Sequence, residues 1–138
     1  MFERVLVGID GSRQSEAALA AAKDAAGITD GEVRVVHVRE IARPARGGVA
    51  SLETHDEAGE IVDEAVAKLR ADGVNASGVL RSALAGHVAV QILEEAKDWN
   101  ASVIVLANRG LSDLAGLVLG STTHKVLHLG HLPVLVVR

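Results

Sequence analysis

At 138 residues the chain is long enough to close one hydrophobic core and short for two, so a single domain spanning 1–138 is expected. Hydrophobic residues at 49% and charged residues at 23% exclude disorder over most of the length. A net charge of −4, with Phe2 and Trp99 as the only aromatics, excludes the basic surfaces and stacking platforms of nucleic-acid binders, and zero cysteines exclude disulfides and thiolate chemistry. No apolar run approaches the length of a membrane span, and Met1 to Arg4 leads straight into VLVGI without a signal-peptide core, so the expectation is a cytoplasmic protein with no membrane partner.

Arg4 to Ile9 is a β-branched run ended by Asp10-Gly11-Ser12, which predicts a buried first strand and a tight turn. Asp-Gly also suits a hairpin, but the next segment, SRQSEAALAAAKDAAG, is helical: Ser12 is a fitting N-cap, Glu16 lies in the first turn, and Gly27 is the expected stop. Glu32 to Val38 is the second strand, parallel to the first by right-handed crossover. Residues 39 to 55 show neither period and read as a loop, whose Arg43 and Arg46 suit either a phosphate contact or solvated loop charge.

Thr54-x-x-Glu57 has the form of a capping box, and Ala58, Ile61, Val62, Ala65 and Leu69 share one helical face before Gly73. Val74 to Leu80 is a weaker strand suited to an edge, and Gly86 to Trp99 is a helix with Val88, Ile92 and Ala96 inward. Val103 to Ala107 is the fourth strand. After a glycine-bearing loop, Ser121 to Leu129 is the last helix, closed by Gly130, and Pro133 introduces the strand Val134 to Val137. Five β runs separated by four helical ones predict an α/β fold, a doubly wound five-stranded parallel sheet with helices on both faces.

In such a sheet ligands settle beyond the carboxyl ends of the strands, where the strand order reverses. The Asp10 turn and the 107–123 loop are the two walls expected there if the first and fourth strands are neighbours. Neither is a standard phosphate loop. GLVLGST, from Gly116, lacks the Walker lysine and spacing, and no G-x-G-x-x-G follows the first strand. A glycine before a helix start still offers backbone amides to an anion.

These residues resemble the universal stress protein family. VGIDGS (Val7 to Ser12), Arg109-Gly110, nine intervening residues, Gly120-Ser121-Thr122, and PVLVV (Pro133 to Val137) are similar to the motifs of its nucleotide-binding members, and the similarity covers essentially the whole chain. The resemblance implies a strand order 3-2-1-4-5 and an adenine nucleotide, ATP with Mg²⁺ or cyclic AMP, held as a sensing or regulatory ligand. It implies a binding set of Asp10, Gly11, Ser12, Val38, Ala107, Asn108, Arg109, Gly110, Gly120, Ser121 and Thr122. Within that set Gly110, Gly120 and Ser121 meet phosphates and ribose, Asp10 lies beside the nucleotide or its metal, and the Val38 backbone receives the adenine.

One position departs from the family pattern, since Ala107 stands where nucleotide-binding members have their first glycine. If that position needs a positive φ, alanine costs about 1–2 kcal/mol; if it needs close backbone approach, the methyl occupies ligand space. Asp10 suits either a turn-forming bond to its own backbone or a ribose or metal contact, Ser121 either a helix cap or an oxygen contact, and Arg109 either a phosphate or solvent. His124, His128 and His131 lack the acidic residue of a zinc motif and read as a solvated or packed face, with His37 and His87 structural. No metal-ion ligand set and no catalytic constellation is expected, and any ATP hydrolysis should be slow for want of a general base. By the family's strand order the apolar Val134 to Val137 lies at the sheet edge, where it suits a homodimer. The competing expectation is a nucleotide-independent dimeric interaction protein, with a slow ATP-hydrolysing enzyme third.

Overall fold

The computed structural model describes residues 1–41, 53–108 and 120–138. They form β1 (Arg4–Ile9), α1 (Arg13–Thr29), β2 (Glu32–Ile41), α2 (His55–Ala71), β3 (Asn75–Leu84), α3 (Val88–Trp99), β4 (Val103–Ala107), α4 (Ser121–Leu129) and β5 (Val134–Val137). The strands make one sheet in the order β3-β2-β1-β4-β5, parallel at every pairing.

Side chains of alternate strand residues feed two cores. On one face Val5, Val7, Val33, Val35, Val103 and Val105 meet α1 and α2; on the other Leu6, Val36, Ile104 and Leu106 meet α3 and α4. Strands buried on both faces read as continuous apolar runs, which is why β1 and β4 show no polar alternation. Burying each such Val or Leu contributes about 1.5–3 kcal/mol. Alanines let α1 lie close to the sheet, with Ala18 and Ala22 fully buried. Gly78 does the same for β3, since a Cβ there would run into Val62 of α2.

Several boundaries move from those expected. Gly27 does not stop α1, which runs on to Thr29 until Asp30 takes the left-handed conformation at φ 52°. A glycine costs a helix only about 1 kcal/mol, and the packed Ala25 and Ala26 beside it outweigh that. β2 continues to Ile41 because β3 pairs with it through Ile41↔Leu84, so β3 is also longer than expected. The Thr54 capping box forms as expected, with Glu57 N–H donating to Thr54 Oγ1 at 3.1 Å and Thr54 N–H to Glu57 Oε1 at 3.4 Å. Arg43 and Arg46 lie outside the described residues.

Candidate functional site

β1 lies between β2 and β4, and the chain passes from β1 to β2 on one side and from β4 to β5 on the other. The order therefore reverses between β1 and β4. Their carboxyl ends carry the two stretches singled out in the sequence, the Asp10-Gly11-Ser12 turn and the Ala107–Asn108 strand end that leads to α4.

The Asp10 turn is built around Gly11 at φ 81°, a conformation that side chains resist. A Cβ there would lie 2.9 Å from Ile61 Cδ1, so the turn is also packed beneath α2. Asp10 Oδ1 accepts hydrogen bonds from Ser12 N–H at 2.9 Å and from the Ser15 hydroxyl at 2.9 Å, and Asp10 N–H donates to Ser15 Oγ at 3.0 Å. Asp10 is thus a turn former, half-buried at the strand end. Ser12 occupies the N-cap position of α1 by backbone, but its hydroxyl makes no capping bond among the described residues. Its Oγ lies 3.5 Å from Ser15 Oγ instead.

On the other wall, Asn108 N–H donates to Val137 O at 2.7 Å and Gly120 N–H to Asn108 O at 2.8 Å, so β4, β5 and the start of α4 are tied at one point. The first helical bond of α4 is His124 N–H to Gly120 O, at 2.9 Å. The amides of Ser121, Thr122 and Thr123 precede that ladder and are the groups a helix N-terminus offers to an anion. Gly120 is the N-cap residue and its own amide is committed to Asn108. With glycine at the N-cap position, α4 starts without a side-chain cap. The sequence missed Thr123, which is buried and donates to Ala107 O at 2.8 Å, fastening α4 to the end of β4. Arg109 and Gly110 lie outside the described residues.

Ala107 departs from one of its two expected explanations. Among the described non-glycine residues, only Asp30 and Asn100 have positive φ, so no left-handed strain falls on Ala107. It is an extended residue opposite Val137, and it packs against the α1-side core.

Val38 does not end its strand, as the sequence suggested. The β1–β2 ladder stops at Ile9↔His37, however, so Val38 is the first residue of β2 beyond β1. Next to it His37, 4% exposed, contacts Ile9 O through Nδ1 at 2.8 Å and Glu53 Oε1 through Nε2 at 2.6 Å. Arg39 Nε adds a bond to Glu53 O at 3.0 Å. His37 is structural, as expected, but Glu53, placed in a loop by the sequence, could not be foreseen as its partner.

A charge network lies between α3 and the strands β2 and β3. Glu95, 4% exposed, accepts from Arg34 at 3.0 Å and Arg81 at 2.9 Å, while the Arg4 and Arg34 guanidinium groups lie 4.6 and 4.9 Å from the Trp99 ring centroid. Burial alone would lower the Arg81 pKa, but hydrogen bonds to Glu95 and Asp98 and their charges raise it overall. His124 and His128 stack in parallel on the exposed side of α4 with centroids 6.2 Å apart. Among the described residues no three His, Asp or Glu side chains gather as a metal site, and no helix is long and apolar enough to cross a membrane.

Comparison with known proteins agrees with this architecture. Residues 1–138 match the Universal stress protein family model. Universal stress protein YxiE of Bacillus subtilis is 35% identical, with 100% of both chains covered. Among solved structures, a universal stress protein from Archaeoglobus fulgidus in complex with dAMP shares the fold at TM-score 0.74 and 22% identity, covering 98% of this chain and 97% of that one. A universal stress protein in complex with cAMP aligns at TM-score 0.70 and 25% identity, over 99% and 96%. With the profile matched end to end, a relative of equal extent and the same 3-2-1-4-5 sheet, the chain belongs to the universal stress protein family.

Proposed function

We propose that the crevice between β1 and β4 binds an adenine nucleotide, ATP with Mg²⁺ in the first instance, as a sensing or regulatory ligand in the cytoplasm. The observation that carries this reading is the strand order, by which the Asp10 turn follows β1 and the lead into α4 follows β4 at the carboxyl ends of neighbouring strands. The leading amides of α4, at Ser121 and Thr122, suit phosphate oxygens. Gly11 permits the turn that carries Asp10, and Asn108 ties the end of β4 to β5 and to Gly120. The carboxylate of Asp10 fits a ribose hydroxyl or a Mg²⁺ ion, either of which makes it compatible with nearby phosphates. Val38, beyond the last β1 partner, borders the place for the base. The dAMP- and cAMP-bound relatives support the adenine class, and cyclic AMP is the alternative ligand. Among the described residues no general base stands out, and this reading carries slow hydrolysis at most.

The partner in this reading is a second copy of the chain. β5 ends the sheet with Leu135 41% exposed, and such an apolar edge favours pairing across a two-fold axis. Light scattering at micromolar concentration should give a dimer.

The ligand test is to denature the purified chain, chromatograph what is released, and titrate ATP and cyclic AMP by calorimetry. Bound nucleotide or saturable heat is expected. Neither, up to millimolar ATP, would leave the nucleotide-independent dimer in its place. Trp99 is unsuited as the reporter, being buried at the far end of the sheet between Arg4 and Arg34.

A further inference from the structure

Ser15 attracted no attention in the sequence, where it is one polar residue in an alanine-rich helix. In the structure it is 5% exposed, and its hydroxyl is engaged twice by one residue, accepting from Asp10 N–H at 3.0 Å and donating to Asp10 Oδ1 at 2.9 Å. The same Oδ1 accepts from Ser12 N–H at 2.9 Å. An aspartate side chain turns about two bonds, but two donors converging on one oxygen oppose both rotations, because either motion breaks at least one of them. With Oδ1 held against the first turn of α1, the planar carboxylate gives Oδ2 a single direction. A serine serving only as a cap would instead act on the helix itself. Here α1 already starts with Ser15 N–H bonded to Ser12 O at 3.1 Å, and the hydroxyl proton goes back to the Asp10 carboxylate.

We infer that Ser15 is a positioning residue for nucleotide binding, fixing the Asp10 carboxylate in the orientation in which it meets the ribose hydroxyl or the metal ion of the ligand. The inference rests on the nucleotide reading above. Presetting the carboxylate spares the ligand the ordering of that side chain, and it keeps the negative group aimed away from the phosphates.

Calorimetric titration of the full chain with ATP and Mg²⁺, and separately with cyclic AMP, tests it in Ser15→Ala, Asp10→Ala and the double variant. Melting curves followed by Trp99 fluorescence run alongside. Ser15→Ala should weaken ATP binding about tenfold and Asp10→Ala at least as much. The double variant should bind no more weakly than Asp10→Ala, because Ser15 acts through Asp10. Multiplying effects in the double variant would overturn the inference. So would a Ser15→Ala chain that melts lower yet binds ATP as tightly as the unsubstituted one. A ligand-free measurement bears on it as well: NMR couplings should show one χ1 rotamer for Asp10 in the unsubstituted chain and averaging in Ser15→Ala, and a retained single rotamer would refute it. If the unsubstituted chain binds neither nucleotide, the proposed function falls and this inference with it. If it binds and any overturning result appears, the inference alone falls.

Discussion

Replacing Ala107 by glycine restores the residue that the family's nucleotide-binding pattern has at this position, and the structure gives the outcome a sign. Ala107 is extended, carries no positive φ and packs its side chain on the α1-side core opposite Val137. Nothing in the backbone therefore relaxes on substitution. Glycine in a strand costs about 0.5–1 kcal/mol in chain entropy, and loss of a half-buried methyl adds about 0.4 kcal/mol. Ala107→Gly should destabilise by about 1–1.5 kcal/mol, lowering the melting temperature by about 4–6 °C for a domain of this size. ATP affinity, followed by calorimetry, should stay within about twofold, because the methyl faces the core. A tenfold gain in affinity would show that the methyl occupies ligand space, and an unchanged melting temperature would show that it is not packed. Either result refutes the assignment of the Ala107 methyl to the core.

Gly11→Ala places a side chain at φ 81° and drives a methyl to within 2.9 Å of Ile61 Cδ1, which can rotate away. The backbone term of about 1–2 kcal/mol should remain as a lower melting temperature, with ATP affinity weakened about tenfold because the turn carries Asp10; an unchanged melt would contradict the strain argument. Glu95→Ala removes the anion shared by Arg34 and Arg81, whose side chains are 29% and 19% exposed. Water can partly serve them, so the loss should fall near the lower end for broken buried pairs, about 3 kcal/mol by urea unfolding; under 1 kcal/mol would make the pair no better than a surface one.

Local signals made much of this fold legible. α4 and β5 fall where Gly120, Gly130 and Pro133 put them, because each of these residues interrupts the element beside it. The ends of β2 and β3 were hidden, since they extend each other through Ile41↔Leu84 and neither extension has a signal of its own. The same distinction runs through the site. Asp10, Gly11 and Gly120 announce themselves by type and spacing. Ser15, Thr123 and the His37–Glu53 pair act through partners 5, 16 and 16 residues away, and a hydroxyl or imidazole with a distant partner looks like any other in a linear reading.

The packing of Trp99 against the Arg4 guanidinium, at the amino end of β1, has a consequence of its own. A six-residue strand such as β1 separates it from the crevice by about 20 Å, beyond the range at which substitutions usually couple. Changes at Trp99 can therefore raise or lower the stability of the domain without touching the proposed nucleotide site. The packing around Trp99 and the chemistry of the proposed crevice are thus open to change one without the other.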